Sequence, residues 1–146
     1  MAKYSMGIDF GTLSGRAVLV DIETGAQMAE SVAEYAHGVL SDCFLNGEKL
    51  PAGFALQHPQ DYLDTLYFVI KDCVEKSGVA PEDIIGVGID FTACTLLPVD
   101  ETGTPLCFYE EFKEDPHAYV KLWKHHAAQN EADEINAWLK RHSSPG

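Results

Sequence analysis

The chain has 146 residues, 46% of them hydrophobic and 23% charged, which is enough for one globular domain with a core of its own. Its 23 Asp and Glu outweigh 10 Lys and Arg, giving a formal charge of −13, and no Lys/Arg run exists to track a nucleic-acid backbone or an anionic membrane. No apolar run approaches the roughly 20 residues of a membrane span and no signal-peptide core opens the chain, so a cytoplasmic protein that binds neither nucleic acid nor membrane is expected.

The first element is a hairpin. An apolar run ending at Ile8 and a second, Ala17-Val18-Leu19-Val20, enclose Asp9-Phe10-Gly11-Thr12-Leu13-Ser14-Gly15-Arg16. A turn of small and hydroxyl residues leaves backbone N–H groups to face an anion, and Gly11 is expected at positive φ so that the chain can approach a phosphate oxygen. Asp9, at the end of the first strand, is a hard carboxylate suited to Mg²⁺ that keeps most of its waters. The spacing matches neither a P-loop nor G-x-G-x-x-G. The competing reading is an ordinary hairpin whose Asp caps the turn, with Arg16 as a strand-start arginine paired with an acidic neighbour.

Asp21 to Gly25 is a turn signal, and Met28 to Tyr35 returns as a third antiparallel strand. His37 to His58 lacks a clean period and reads as a long irregular loop. Pro59 opens a helix, Tyr62, Leu63, Leu66, Val69, Ile70, Cys73 and Val74 recur at helical spacing, and Gly78 closes it. Ile84 to Ile89 is a continuous apolar run, expected as a strand covered on both faces, its two glycines packed against a helix. Leu96 to Val99 and Pro105 to Phe108 flank a turn and read as an edge-like hairpin. From about Asp115 a helix is expected with Val120, Trp123, Ala127, Ile135, Trp138 and Leu139 on one face, which would set His125 and His126 about 100° apart, poor geometry for joint metal ligation. A polar tail, Arg141 to Gly146, follows an apolar helical face that still needs a partner, as in a truncated domain. Cys43, Cys73, Cys94 and Cys107 show no C-x-x-C spacing and are expected to be reduced and mostly buried.

The opening Gly7-Ile8-Asp9-Phe10-Gly11-Thr12 resembles the first phosphate motif of the actin-like ATPase superfold. Gln57-His58-Pro59, Gly88-Ile89-Asp90-Phe91-Thr92-Ala93-Cys94-Thr95 and Lys121-Leu122-Trp123-Lys124-His125-His126-Ala127-Ala128-Gln129 are similar to segments of the FGGY carbohydrate kinases, within them the bacterial ribulokinases, in register from about residue 4 to about 139. Most other FGGY kinases carry a Gly/Gln-rich sequence after the strand ending near Asp90 and W-x-D-x-R where this chain has Trp123-Lys124-His125-His126, a departure that favours ribulose over xylulose or glycerol.

The resemblance implies an α/β fold: a partial actin-like ATPase (ribonuclease H-like) domain with a three-stranded antiparallel meander, a parallel strand and flanking helices. It implies ATP-dependent phosphorylation of the C5 hydroxyl of L-ribulose, as in arabinose breakdown, with ATP and Mg²⁺ as cofactors, and it allows a homo-oligomeric parent enzyme. By that likeness Gly11, Thr12, Leu13, Ser14 and Arg16 line the phosphate path, Asp9 orients Mg²⁺ through water, and Thr92, Ala93, Cys94 and Trp123 shape the sugar pocket. Residues 1–146 would be the N-terminal portion of the first of two lobes, inactive alone, with the second lobe absent and the catalytic aspartate beyond residue 146; Asp90 is the weaker candidate for that base. For Thr92 to Thr95 a plain strand-to-hairpin corner, and for Trp123 a core position, are the competing readings. A non-catalytic interaction or regulatory domain of the same fold, another FGGY sugar kinase and a heat-shock-type ATPase are the alternatives.

Overall fold

The computed structural model describes residues 2–142. Three strands form the expected meander: β1 (Tyr4–Phe10), β2 (Ser14–Asp21) and β3 (Gln27–Glu34). After a short strand β4 (Leu56–Gln57), helix α1 (Pro59–Ser77) crosses back so that β5 (Ile84–Phe91) lies parallel to β1, giving the sheet order β3-β2-β1-β5. Strand β6 (Val120–Lys121) pairs antiparallel with β4, and α2 (Gln129–His142) follows. The polar tail expected over residues 143–146 lies outside the described residues.

Period-2 burial builds the main core. Met6, Ile8 and Phe10 of β1 and Ala17 and Leu19 of β2 face α1, which answers with Val69 and Cys73, both 0% exposed. The helix has the ends its sequence calls for. His58 is the N-cap, its ring nitrogen accepting from the Gln60 amide; Pro59 stands at the first position, and Gly78 takes the left-handed C-terminal conformation. Burying Val69 alone contributes about 1.5–3 kcal/mol.

A second core gathers Leu40, Phe44, Leu50, Leu56, Cys107, Ala118 and Tyr119 from the irregular segments. The loop expected over His37 to His58 is confirmed up to β4, and bridges Leu40↔Leu56 and Leu96↔Lys121 flank the β4–β6 pair to make a narrow ribbon.

Four expectations fail here. The helix predicted from Asp115 starts only at Gln129, because the buried Val120 (0% exposed) and Leu122 (2%) are held in extended chain against the segment around β4, Val120 pairing with Gln57 and the Leu122 amide donating to the Ala55 carbonyl. His125 and His126 therefore sit in a turn that precedes the helix. Strand β5 is not covered: Val87, Ile89 and Phe91, in register with buried Met6, Ile8 and Phe10, are about half exposed, and a Cβ on Gly88 would meet nothing within 4 Å. The 96–108 hairpin shrinks to a Val99↔Pro105 bridge around the Asp100 turn, with Leu106–Phe108 as a 3-10 turn. Two of the four thiols, Cys43 and Cys94, are exposed.

One glycine is demanded by close packing. A Cβ on Gly15 of β2 would lie 2.4 Å from Cγ2 of buried Thr65 on α1. Gly15→Ala is therefore expected to cost about 1–3 kcal/mol by overpacking. Denaturant unfolding of Gly15→Ala and of Gly15→Ala with Thr65→Ser checks this: the second change removes Cγ2 and should recover most of the loss, and an equal loss in both would refute the contact.

Candidate functional site

The parallel pairing of β1 and β5 aligns Asp9 with Asp90 and Phe10 with Phe91, so the carboxyl ends of both strands finish at one level. Phe10 and Phe91 stack at 4.7 Å between ring centroids, and Tyr62 of α1 meets both edge-on. On this aromatic base the chain continues in two directions. From β1 it enters the Gly11 to Leu13 turn; from β5 it enters Thr92, whose amide and hydroxyl both donate to the Phe10 carbonyl at 3.0 Å.

The turn differs from the sequence expectation in one respect. Gly11 is not among the positive-φ glycines, and its amide is spent on the Ser14 carbonyl at 2.9 Å. Its lack of a Cβ matters because that atom would stand 3.1 Å from the same carbonyl. Among the described residues, the amides of Thr12 and Leu13 have no such partner, which leaves them as the donors of the turn.

Asp9 pairs with Arg16 at 3.2 Å, both side chains about half exposed. Such a pair is worth about 0–1 kcal/mol, so Asp9 can exchange Arg16 for another cation at little cost. The two line a cavity of about 550 Å³ on the sheet face away from α1, together with Asp90 and the paired Gly7 and Gly88. A glycine floor with two carboxylates at its end suits a hydrated divalent cation, since Mg²⁺ takes one or two carboxylates and keeps its waters. Asp90 also accepts from its own neighbour, the Phe91 amide, at 2.9 Å.

Trp123 is not a core residue. It is 58% exposed, just past β6, and its Nε1 donates to the Thr12 hydroxyl at 3.3 Å. It lines a second groove, of about 590 Å³, with Cys94, Leu96, His117, Lys121 and His125. Burial, with Lys121 and His117 nearby, holds His125 below the usual histidine range, while burial depresses Lys121. Cys94 carries the one positive φ (62°) of a non-glycine among the described residues, which turns the chain sharply after Thr92 and Ala93.

Of the predicted site residues, Asp9, Thr12, Arg16, Thr92 and Trp123 converge at the carboxyl ends of β1 and β5. Cys94 shares the groove with Trp123. Ser14 contributes its carbonyl to the turn, and no contact distinguishes Ala93. Sequence reasoning gave no role to Gln57. Its side chain, 1% exposed, donates to the Thr12 carbonyl at 2.8 Å and accepts from the Tyr62 hydroxyl at 2.6 Å. The available signal was its place in the Gln57-His58-Pro59 segment that carries the resemblance.

No family model matches the sequence. Curated relatives do: it is 56% identical over 137 residues to a ribulokinase of Shouchella clausii, covering 93% of this chain and 24% of the relative. It is also 49% identical over 151 residues to a ribulokinase of Mycolicibacterium smegmatis, covering 96% and 27%. Over more than nine-tenths of its length the sequence is thus similar to a part of these ribulokinases. The chain spans about a quarter of the length of the curated relatives it matches. Among solved structures, a gluconate kinase from Lactobacillus acidophilus superposes with a TM-score of 0.70 at 18% identity, over 95% of this chain and 23% of that one. A xylulose kinase from the same organism gives 0.69 at 18% identity, over 94% and 23%. The chain thus carries part of the actin-like ATPase fold that these sugar kinases share.

Burial pushes the Cys107 thiol up to about 11 and raises Cys73 as well. With Cys43 and Cys94 exposed, a thiol reagent at pH 8 should modify two cysteines of the folded protein quickly, Cys94 among them, and the other two only on unfolding. Peptide mapping of the labelled sites decides it, and a slow Cys94 would contradict an open groove.

Proposed function

We propose that the polypeptide carrying this chain is a kinase that transfers the terminal phosphoryl group of ATP to the C5 hydroxyl of L-ribulose, in the cytoplasm, as a step of arabinose breakdown. The sequence identity of about half to ribulokinases over more than nine-tenths of the chain carries this reading. The geometry supports it, since a turn with two open amides meets an exposed tryptophan and a sharp strand-end corner at one end of the sheet.

In such a transfer the sugar oxygen bonds to phosphorus as the bond to the leaving ADP oxygen breaks, and the protein acts chiefly by positioning and by balancing charge. The Thr12 and Leu13 amides would hold phosphate oxygens, with the Ser14 hydroxyl beside them. Asp9, with Asp90 adjacent in the ladder, would hold the waters of Mg²⁺, which when bound neutralises charge on the phosphates. Arg16 would be freed from Asp9 toward the phosphates. Thr92, Ala93 and Cys94 would shape the sugar site, and Trp123 would offer it an apolar ring face. The group that takes the C5 hydroxyl proton is expected outside residues 1–146, and the chain is read as the N-terminal portion of the first of two lobes.

A coupled assay with L-ribulose, D-ribulose and ATP tests the reading. The longer polypeptide that contains this chain should consume ATP only with ribulose, and residues 1–146 alone should not. Turnover by the 146 residues would overturn the division of labour, and no turnover by either would favour a non-catalytic domain of the same fold.

Asp9→Asn should raise the Mg²⁺ concentration that gives half-maximal activity by about 10–100-fold, the usual effect of losing a group that orients a metal's ligands. A magnesium titration of initial rates checks it, and an unchanged midpoint would remove Asp9 from the metal site.

A further inference from the structure

Three successive carbonyls of the turn between β1 and β2, those of Thr12, Leu13 and Ser14, are each held by a donor of the chain itself. The Gly11 amide donates to Ser14 and the Tyr35 amide, just past β3, donates to Leu13, both at 2.9 Å; the Gln57 side chain donates to Thr12 at 2.8 Å. The first two are backbone bonds, which no change of side chain deletes. The third depends on a single residue.

A trans peptide is planar, and its C=O and N–H point in opposite directions. The Thr12 carbonyl and the Leu13 amide belong to the same peptide, so the bond that draws the oxygen toward β4 turns the Leu13 N–H the other way. That N–H is one of the two open amides of the turn. Were this peptide to turn over, a carbonyl oxygen would replace the donor, and an anion would meet the wrong end of the dipole.

Gln57 is itself held in one orientation. Its side chain is buried, and its backbone is fixed by pairing with Val120 in the ribbon. Its Oε1 accepts from the Tyr62 hydroxyl at 2.6 Å, and burial pushes that phenol up to about 12, so it keeps its proton and stays a donor. With the oxygen engaged, the amide nitrogen must face Thr12; a flipped amide would set two acceptors together. Tyr62 is steadied in turn by edge-on contact with Phe10 and Phe91.

We propose that Gln57 is a positioning residue for the phosphate site: by fixing the Thr12–Leu13 peptide it presents the Leu13 amide to the phosphates of the nucleotide, a role that rests on the kinase reading above. It touches neither substrate. Its effect passes through one peptide plane.

The test is calorimetric, on the longer polypeptide that contains this chain, with three probes measured separately: a non-hydrolysable ATP analogue with Mg²⁺, adenosine, and L-ribulose. Gln57→Met keeps the length of the side chain and loses the donor. It should raise the dissociation constant of the ATP analogue by about tenfold or more, the size of one lost hydrogen bond to a charged group, and leave adenosine and L-ribulose within about twofold. Gln57→Leu, shorter and also without a donor, should show the same selectivity and serves as the second arm if Gln57→Met does not fold. A folded variant that binds the analogue as the unaltered protein does would overturn the positioning role and leave the kinase reading standing. Equal weakening of all three probes would also overturn it, since Gln57 would then serve only the fold. Failure of the unaltered protein to bind both the analogue and L-ribulose would overturn the kinase reading, and the role of Gln57 with it.

Discussion

Everything of functional interest depends on β1 and β5 running parallel and ending together. A parallel neighbour requires a crossover, and α1 provides it while covering one face of the sheet. In open α/β sheets the carboxyl ends of parallel strands are where ligands bind, because connecting segments leave the sheet there. Here those segments are the Gly11 to Leu13 turn and the Thr92 to Cys94 corner, joined directly by the bonds from Thr92 to the Phe10 carbonyl. The stacked Phe10 and Phe91 rings hold the two strand ends level.

The second constraint is the β4–β6 ribbon, only two residues wide in each strand. It contributes little area, yet it decides the path of the chain from Tyr119 to Trp123. Without it the apolar positions of that stretch would suit a helix, and the tryptophan would lie far from the hairpin turn. A short non-local pairing thus sets a long-range relation, between residues 12 and 123, that neither partner encodes by itself.

Legibility followed locality. The meander was readable because alternation and turn residues lie within a few positions of each other, and α1 because Pro59 and Gly78 punctuate a strong period. Asp9 and Thr92 stood out as polar residues at the ends of apolar runs, and both sit at strand ends. The segment from Asp115 to Ala128 was misread because Val120, Trp123 and Ala127 satisfy helical spacing while the deciding partner, Leu56–Gln57, lies more than sixty positions earlier. Gln57 stood in a segment that carries the resemblance but was given no role for the same reason, since its importance exists only once Thr12 and Tyr62 surround it. Conversely, the apolar run of β5 was correctly read as a strand, but its cover could not be read from its own residues, and among the described residues it has little.

The uncovered strand has a further consequence, for colloidal behaviour. β5 is an edge of the sheet, and its Ile85, Val87, Ile89 and Phe91 are about half exposed, with unpaired backbone groups along its outer side. Such an edge is a template for strand addition by another molecule, the first step toward ordered aggregates. The formal charge of −13 works against that step by keeping copies of the chain apart. Repulsion of this kind is screened within about 8 Å at physiological ionic strength. Handled as these 146 residues, the protein would therefore be best kept in low salt above its isoelectric point of about 4.6, where electrostatics guards the edge that no other part of the chain covers among the described residues.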